Sequence, residues 1–324
     1  MPKAIILRNH GKPNVLKLEN INIEKPKRNE ILIRQTAIGV HFHDVYVRSG
    51  LYKTLSLPGI PGVEAVGVVE EIGNDVNELK VGDRIVYITG TYGAYASHRL
   101  LDKNLAIKLP EFVSDELMAT NFSRALTVKM LLEKVTKLTS DDSILVTAAT
   151  GGVGRLLCQV ANSIGAMVIG SVSSFKKVEI AKQYGCRHSF VYDQEQFVKK
   201  IYDLTNGKGV NFVFDSVGMD TINNSLDSLS FCGHLVNFGQ SSGPINPIEM
   251  SALAKKSLTV TRPILFHYLT NIEIYKGMSN SVFNLFKGGF LKTPKTFSIK
   301  LQNAAEAHQM LESRRGGGSI YLNP

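Results

Sequence analysis

The glycines Gly151, Gly152 and Gly154 are the residues of this sequence best placed to bind a charged ligand. Together with Val153 they follow an apolar run at residues 143–148, and the residues after them have helical spacing. A strand that ends in a glycine turn and continues as a helix directs backbone N–H groups toward a diphosphate. The turn therefore predicts a dinucleotide site, in which Gly151 and Gly152 admit the phosphates and Gly154 lets the helix pack against the strand. The alternative is an ordinary tight turn.

The residues after the second predicted strand of this region favour NADP(H) over NAD(H). An NAD site usually carries an Asp or Glu about 20 residues beyond the turn, where it binds the ribose 2′-hydroxyl. Residues 169–177 contain no acid and include Ser173 and Lys177. A hydroxyl and an ammonium group suit a 2′-phosphate, which an acid would repel. Tyr192 follows the third predicted strand and could flank the same phosphate or the adenine, whereas an exposed helix lysine is the alternative for Lys177.

A second candidate site begins with the sequence His41-Phe42-His43-Asp44. Histidines two residues apart on a strand share a face and could bind a metal. Catalytic zinc needs three protein ligands and an open position, and no second cluster of Cys, His or Asp has a suitable spacing. We therefore predict no metal here and expect hydrogen-bonded histidines instead.

Tyr46 and Tyr52 flank a polar loop that follows the histidines. Tyrosines can line an apolar pocket or donate a proton to a substrate. With His41 they are the candidate catalytic residues, and His41 or Tyr52 is the candidate proton donor. The alternative is that both tyrosines are half-buried surface residues.

Two patterns of secondary structure position these candidates. Across residues 124–264, apolar runs alternate with segments of helical spacing, which predicts an α/β domain with a doubly wound parallel sheet. Residues 1–110 are β-rich with glycines at bends, which predicts a curled, barrel-like sheet in a first domain that extends to residue 123. Residues 296–299 and 319–322 are candidate strands that rejoin it, so we expect residues 265–324 to belong to this first domain.

Composition places the chain among globular proteins of two domains. It has 324 residues, of which 44% are apolar and 20% charged, a balance that excludes collagen-like and disordered classes. No apolar stretch reaches the roughly 20 residues of a membrane span. The cysteines Cys158, Cys186 and Cys232 have no paired spacing, which predicts a reducing, cytoplasmic compartment.

The formal net charge is +9, from 37 Lys and Arg against 28 Asp and Glu. A basic balance can indicate nucleic acid, an anionic membrane surface or a phosphorylated ligand. The cations occur as dispersed pairs with no interleaved aromatic residues, so a nucleic-acid partner is not predicted.

Several segments match, in order, the motifs of one protein family: residues 41–52, 61–67, 81–86, 149–154, 214–218, 238–243 and 260–263. By these motifs the sequence resembles the zinc-free NADPH:quinone oxidoreductases, the zeta-crystallin-like branch of the medium-chain dehydrogenase/reductase superfamily. The resemblance extends over the whole chain. It implies a Rossmann domain, a chaperonin-10-like catalytic domain and NADP(H) as the cofactor.

The resemblance also implies roles for individual residues. It places Thr127 near the nicotinamide amide, and Gly152 and Val153 at the diphosphate. The residues implied around the 2′-phosphate are Ser173, Lys177 and Tyr192, and those along the rest of the cofactor groove are Ser216, Phe238, Ser241 and Arg262. Family members are generally dimers or tetramers that pair through the strand containing Val260 and Thr261, so a homodimer is expected.

The sequence departs from the family near the expected substrate pocket. His41 stands where the quinone reductases commonly carry Asn, and Lys129-Met130 replaces a pair of tyrosines. At the three positions that hold catalytic zinc in related alcohol dehydrogenases, this chain has His41, Val63 and Ser123. Only the histidine is a usual zinc ligand.

The expected function is NADPH-dependent reduction of quinones or similar electron-poor conjugated carbonyl compounds without zinc. A conjugated acceptor can be reduced with less activation of its carbonyl than an isolated ketone, whose carbonyl a metal would have to polarise. Reduction of enals, enones or enoyl thioesters is the alternative within the same branch. From another class, the alternative is a single-stranded RNA-binding or structural crystallin-like protein, which a contiguous basic groove with aromatic residues would indicate.

Overall fold

The computed structural model describes residues 1–192, 195–313 and 318–324. The chain folds as two units, residues 1–123 with 271–324 and residues 124–270. The second boundary lies later than the expected residue 265, because residues 265–270 group with the second unit before the next long helix begins at Ile272. None of the described helices combines the length and apolarity that crossing a membrane requires.

In the described residues, the strands are β1 (Lys3–Leu7), β2 (Leu16–Asn20), β3 (Glu30–Gly39), β4 (Glu64–Ile72), β5 (Arg84–Ile88), β6 (His98–Asp102), β7 (Ile107–Lys108), β8 (Ser143–Val146), β9 (Met167–Val172), β10 (His188–Val191), β11 (Val210–Asp215), β12 (Leu229–Asn237), β13 (Thr259–Thr261), β14 (Thr296–Lys300) and β15 (Ser319–Asn323). The α-helices are α1 (Phe42–Ser49), α2 (Asp115–Lys129), α3 (Gly154–Ile164), α4 (Lys176–Gln183), α5 (Phe197–Leu204), α6 (Ile222–Asp227), α7 (Met250–Ala254), α8 (Ile272–Phe286) and α9 (Ala304–Ser313).

Residues 124–270 are built on a six-stranded parallel sheet with the strand order β10-β9-β8-β11-β12-β13. A sheet that starts in its middle and grows outward in both directions is typical of a Rossmann domain. Leu145, Ile169, Val213 and Leu235 are register partners along one buried row, and Phe197 of α5 belongs to the same cluster. The predicted doubly wound parallel sheet is confirmed.

The first unit is built on a sheet with the order β14-β15-β3-β4-β5-β7, and β6 also pairs with β3. β15 runs antiparallel to β3 and parallel to β14, so the last strands rejoin the first domain as the sequence predicts. Ile31, Ile33, Tyr87, Tyr95 and Leu322 are fully buried members of its core. This core supports the end of β3, which leads into His41 and α1.

The segment after β3 is a helix, where the metal hypothesis assumed a strand. His41 precedes α1, and its backbone N–H donates to the Asp44 carboxylate at 2.8 Å, which caps the first turn. Gly50 ends the helix in the left-handed conformation with a φ of 85°. Residues two apart on a helix do not share a face, so the strand geometry assumed in the metal hypothesis, which the sequence analysis had already set aside, does not occur. Tyr46 likewise lies in α1 and not beside a loop.

Candidate nucleotide site and catalytic cluster

The glycine turn lies directly after β8, and Gly154 is the first residue of α3. The turn is tight, because the Gly151 N–H donates to the Ala148 carbonyl at 2.8 Å. A side chain at Gly154 would place its Cβ 2.4 Å from that carbonyl oxygen, and one at Gly151 would lie 3.0 Å from it. Glycine therefore lets α3 begin this close to the strand, as the sequence predicts.

Two arginines that the sequence analysis did not single out lie beside the turn. The Arg124 side chain is so close that a Cβ at Gly152 would lie 2.9 Å from its Nε atom. Arg155 follows Gly154 and is buried, and its pKa is lowered to about 9 by that burial and then by the positive charge of Arg124. Two guanidinium groups in one buried region repel each other, and a bound diphosphate would relieve the repulsion. The arrangement fits an anionic ligand at the turn.

Ser173 and Lys177 lie together at the carboxyl end of β9. The Lys177 ammonium group donates to the Ser173 hydroxyl at 3.0 Å. Tyr192 follows β10, and its backbone N–H donates to the Val172 carbonyl at 2.8 Å, so it stands at the same sheet edge. The Tyr192 hydroxyl donates to the Asp220 carbonyl. The structure thus brings together the two side chains expected at a 2′-phosphate and holds Tyr192 near them.

The other predicted nucleotide-site residues of the sheet follow β11, β12 and β13: Ser216, Phe238, Ser241 and Arg262. The Ser241 N–H donates to the Ser216 carbonyl at 3.2 Å, and the Arg262 guanidinium donates to a carbonyl of the same loop, that of Gly239, at 3.0 Å. A side chain at Gly239 would meet the Ser216 carbonyl at 2.7 Å, so glycine permits the contact between the loops. Thr127 lies one turn after Arg124 in α2. Ligands of open parallel sheets bind at such carboxyl ends.

A buried carboxylate organises the loop that carries Ser216. Asp215 has no exposed surface. It accepts hydrogen bonds of 2.7–3.2 Å from two backbone N–H groups and three hydroxyls: those of Val217, Gly218, Thr147, Thr221 and Ser225. A carboxylate satisfied in this way rigidifies the backbone around it. The motif at residues 214–218 contained Asp215, but only the structure shows that five hydrogen-bond donors meet at its carboxylate.

His41 is paired with a buried glutamate in the first unit. Its Nε2 atom is hydrogen-bonded to Oε2 of Glu64, which has no exposed surface. The backbone N–H and the hydroxyl of Ser123 both donate to the same carboxylate at 2.7 Å. Gly39 makes room for the pair, because a Cβ there would lie 2.7 Å from Nε2 of His41. An imidazole held by a buried carboxylate is a general acid–base arrangement.

An aromatic cluster surrounds one face of α1. The rings of Tyr46 and Tyr52 lie 5.0 Å apart, so the structure brings these two predicted residues together. The His43 ring lies 5.6 Å from Tyr52 and stacks on Tyr92 at 5.8 Å. Burial, followed by the charge of His41, lowers the pKa of His43 to about 4, so His43 is neutral near pH 7. A neutral aromatic cluster of this kind suits a planar, uncharged ligand.

Comparison with known proteins gives the chain a family. Two family models match it, the zinc-binding dehydrogenase model at residues 152–281 and the alcohol dehydrogenase GroES-like domain at residues 27–111. The quinone oxidoreductase of Salmonella typhimurium is 40% identical over 327 residues, which cover 100% of both chains. The chain belongs to the quinone oxidoreductase family.

Other members and neighbours of the quinone oxidoreductase family have the same fold. The structure of the Escherichia coli quinone oxidoreductase complexed with NADPH matches with a TM-score of 0.95 at 39% identity, over 99% of this chain and 100% of that one. The 2-haloacrylate reductase of a Burkholderia species is 35% identical over 332 residues, covering 100% of this chain and 99% of the relative. The expected combination of a Rossmann domain with a chaperonin-10-like domain is confirmed.

The zinc implied by the name of one matching model does not fit the residues of this quinone oxidoreductase family member. A catalytic zinc site needs three protein ligands and an open position. His41 and Glu64 bind each other, Val63 is apolar, and the Ser123 hydroxyl donates to Glu64. Across residues 1–192, 195–313 and 318–324, no three His, Cys, Asp or Glu side chains are grouped as metal ligands.

Proposed function

We propose that this chain is an NADPH-dependent oxidoreductase that reduces quinones or similarly electron-poor conjugated carbonyl compounds without zinc. The glycine turn after β8 carries the proposal, because Arg124 and Arg155 concentrate positive charge where a diphosphate would bind. The full-length likeness to quinone oxidoreductases supports the acceptor class. The NADPH complex of the Escherichia coli relative supports the cofactor.

Each part of the cofactor has its own set of proposed contacts in residues 124–270. The diphosphate lies against Gly151, Gly152, Val153 and Gly154; the 2′-phosphate against Ser173, Lys177 and Tyr192; and the rest of the dinucleotide along Thr127, Ser216, Phe238, Ser241 and Arg262. The contact between the ammonium of Lys177 and the hydroxyl of Ser173 supports NADP(H) over NAD(H). When bound, the nicotinamide supplies two electrons as a hydride.

His41 is the proposed proton donor, and Tyr46 and Tyr52 are proposed to hold the planar acceptor. A hydride brings two electrons and one hydrogen to the quinone, so one further proton is needed to complete the hydroquinone. The His41 side chain is 11% exposed and is oriented by Glu64, so it can release a proton to the acceptor and regain one from solvent. This carboxylate partner favours His41 over Tyr52 as the donor.

The function is tested with purified protein and NADPH against a panel of benzoquinones and naphthoquinones and a panel of acyclic enones and 2-haloacrylates. We expect a higher kcat/KM for the quinones, measured by the loss of NADPH absorbance. Faster turnover of enones or 2-haloacrylates would establish the alternative, which the likeness to the 2-haloacrylate reductase favours. RNA binding that survives physiological salt and competes with NADPH would support the non-enzymatic alternative.

We also propose that the protein is a cytoplasmic homodimer. β13 is the terminal strand in the described order of the six-stranded sheet, where it pairs with β12. The outer edge of such a strand offers backbone groups to a second copy. The three cysteines are free thiols, which supports a reducing compartment.

A further inference from the structure

Two buried cysteines of the second unit face each other and have no part in the proposed reaction. The Sγ atoms of Cys158 and Cys186 lie 3.5 Å apart. Cys158 lies in α3 and has no exposed surface, whereas Cys186 lies between α4 and β10 and is 5% exposed. Their sulfur atoms are close enough for a small movement to join them.

The sulfur pair packs directly beneath the glycine turn. A Cβ at Gly170 would lie 2.7 Å from the Cys186 sulfur and 2.8 Å from the Ala149 Cβ. The Cys158 sulfur lies 4.0 Å from the Ala149 carbonyl oxygen. Ala149 is two residues before Gly151, so the sulfur pair contacts the segment that leads into the glycine turn. A bond between the sulfurs would therefore change the packing against this segment.

A cavity of about 650 Å³ reaches one of the two cysteines. Cys186 lines this cavity together with its neighbours Gly185 and Arg187, and Cys158 does not. Burial raises the pKa of the Cys158 thiol, so this thiol stays protonated near neutral pH. Cys186 is therefore the group that meets an incoming oxidant, and Cys158 is placed to react second.

We propose that Cys158 and Cys186 form a reversible disulfide when hydrogen peroxide enters this cavity, and that the disulfide weakens NADPH binding. The Cys186 sulfur attacks one peroxide oxygen, the O–O bond breaks, and a sulfenic acid and one water form. The Cys158 sulfur then attacks the Cys186 sulfur, the S–O bond breaks, and a second water leaves with the proton of the Cys158 thiol. The two thiols together lose two electrons, which reduce the peroxide.

The effect on the nucleotide follows from the geometry of the product. A disulfide has an S–S distance of about 2.05 Å, so the sulfurs must approach each other by about 1.5 Å. Cys158 is carried by α3, and Cys186 packs against Gly170 of β9, so we expect the approach of the sulfurs to draw α3 toward β9. A shift there moves the backbone N–H groups that face the diphosphate.

The test treats the full-length protein with hydrogen peroxide, blocks the remaining thiols and identifies cross-linked peptides by mass spectrometry. We expect a peptide that joins Cys158 to Cys186, an NADPH dissociation constant raised by at least about fivefold, the lower end of typical coupling between sites, and recovery with dithiothreitol. The Cys232→Ser variant, which lacks the exposed thiol, should respond like the wild type. The mass-spectrometric readout does not depend on nucleotide binding, so failure of the disulfide and failure of the NADPH site are distinguishable.

The Cys186→Ala variant is the matched control. It removes the thiol without adding volume beneath Gly170, and we expect its NADPH affinity to be unaffected by peroxide. The proposal is overturned by any of three results: full oxidation of Cys232 with no Cys158–Cys186 peptide, a cross-link that leaves NADPH affinity unchanged, or an equal loss of affinity in Cys186→Ala.

Discussion

At the scale of single residues, the hydrogen bond between His41 and Glu64 decides what the catalytic cluster can do. Glu64 is fully buried and also accepts two hydrogen bonds from Ser123, so its position is fixed. The imidazole is therefore oriented from within the protein, and its side chain is 11% exposed. The neighbouring His43 instead contacts the Tyr92 hydroxyl, and burial lowers its pKa to about 4, so it is neutral near pH 7.

Replacing His41 with Gln should remove the proton donor but keep a polar side chain. We expect kcat for quinone reduction to fall by about 10²-fold with little change in the KM for NADPH. His43→Gln is the control and should lower kcat far less. Steady-state kinetics of quinone reduction measure both effects, and a His41→Gln enzyme with the wild-type kcat would rule out the assignment.

Spacing along the sequence could locate some of the site residues and not others. Ser173 and Lys177 follow one strand and are four residues apart, so a local pattern was enough to predict that they lie together. Arg124 reaches the glycine turn from α2, and Tyr92 reaches His43 from a distant loop. Such proximity is created by tertiary packing and has no local signal.

At the scale of elements, hydrogen bonds between polar side chains hold α1 against α9. Arg48 makes two hydrogen bonds of 2.9 Å to Glu312. The Tyr95 hydroxyl lies 3.2 Å from the Asp44 carboxylate and 3.0 Å from the ring of His308. One oxygen of Asp44 has no hydrogen-bond partner among the described residues, and burial raises the pKa of Asp44 to about 6. Ionisation of Asp44 therefore destabilises the folded state.

Replacing Asp44 with Asn should make stability less dependent on pH. The folded protein holds this proton more tightly than the unfolded chain, so the destabilisation is absent below the ordinary pKa of 3.8 and complete above about 6. The change in pKa corresponds to about 3 kcal/mol. We expect the free energy of unfolding of the variant, relative to wild type, to rise by that order between pH 4 and pH 8. Chemical denaturation at both pH values measures this, and a difference that does not vary with pH contradicts it.

Replacing Gly154 with Ala should destabilise the second unit and weaken NADPH binding. The new Cβ would lie 2.4 Å from the Ala148 carbonyl oxygen, and the required shift of α3 should cost about 1–3 kcal/mol. Gly277→Ala in α8 is the control, because nothing lies within 4 Å of its added Cβ and alanine stabilises a helix interior by about 0.5–1 kcal/mol. Thermal unfolding with and without NADPH distinguishes the two variants. Equal changes in melting temperature for Gly154→Ala and Gly277→Ala would show that the close packing at Gly154 is unimportant.

The strands of the parallel sheet could be predicted because both of their faces are buried, which leaves near-continuous apolar runs in the sequence. The helix α1 could not be predicted in the same way. Val45 and Val47 are β-branched and two residues apart, which is typical of a strand. Asp44 caps the first turn and Gly50 ends the helix in the left-handed conformation, and both favour a helix here. Neither effect is visible in the alternation of apolar residues.

At the scale of the whole molecule, the edge of β13 is the proposed contact between two copies. We expect light scattering to give twice the chain mass of 35.6 kDa. Thr259 is exposed on this strand, and Thr259→Lys should shift the protein toward the monomer, because like charges would meet across the shared edge. Val81→Lys, at an exposed site of the first unit, controls for the added charge. A monomeric wild type, or a dimer that tolerates Thr259→Lys, would refute this contact.

Calorimetric titration of the wild-type protein with NADPH and with NADH tests the central claim most directly. The contact between Ser173 and Lys177 predicts that NADPH binds at least about tenfold more tightly, because a hydrogen bond to a charged group contributes about 1.5–3 kcal/mol. Lys177→Ala should lose most of that preference, and the adjacent, exposed Lys176→Ala should keep it. Equal affinity of the wild type for the two nucleotides, or no binding of either, would contradict the account.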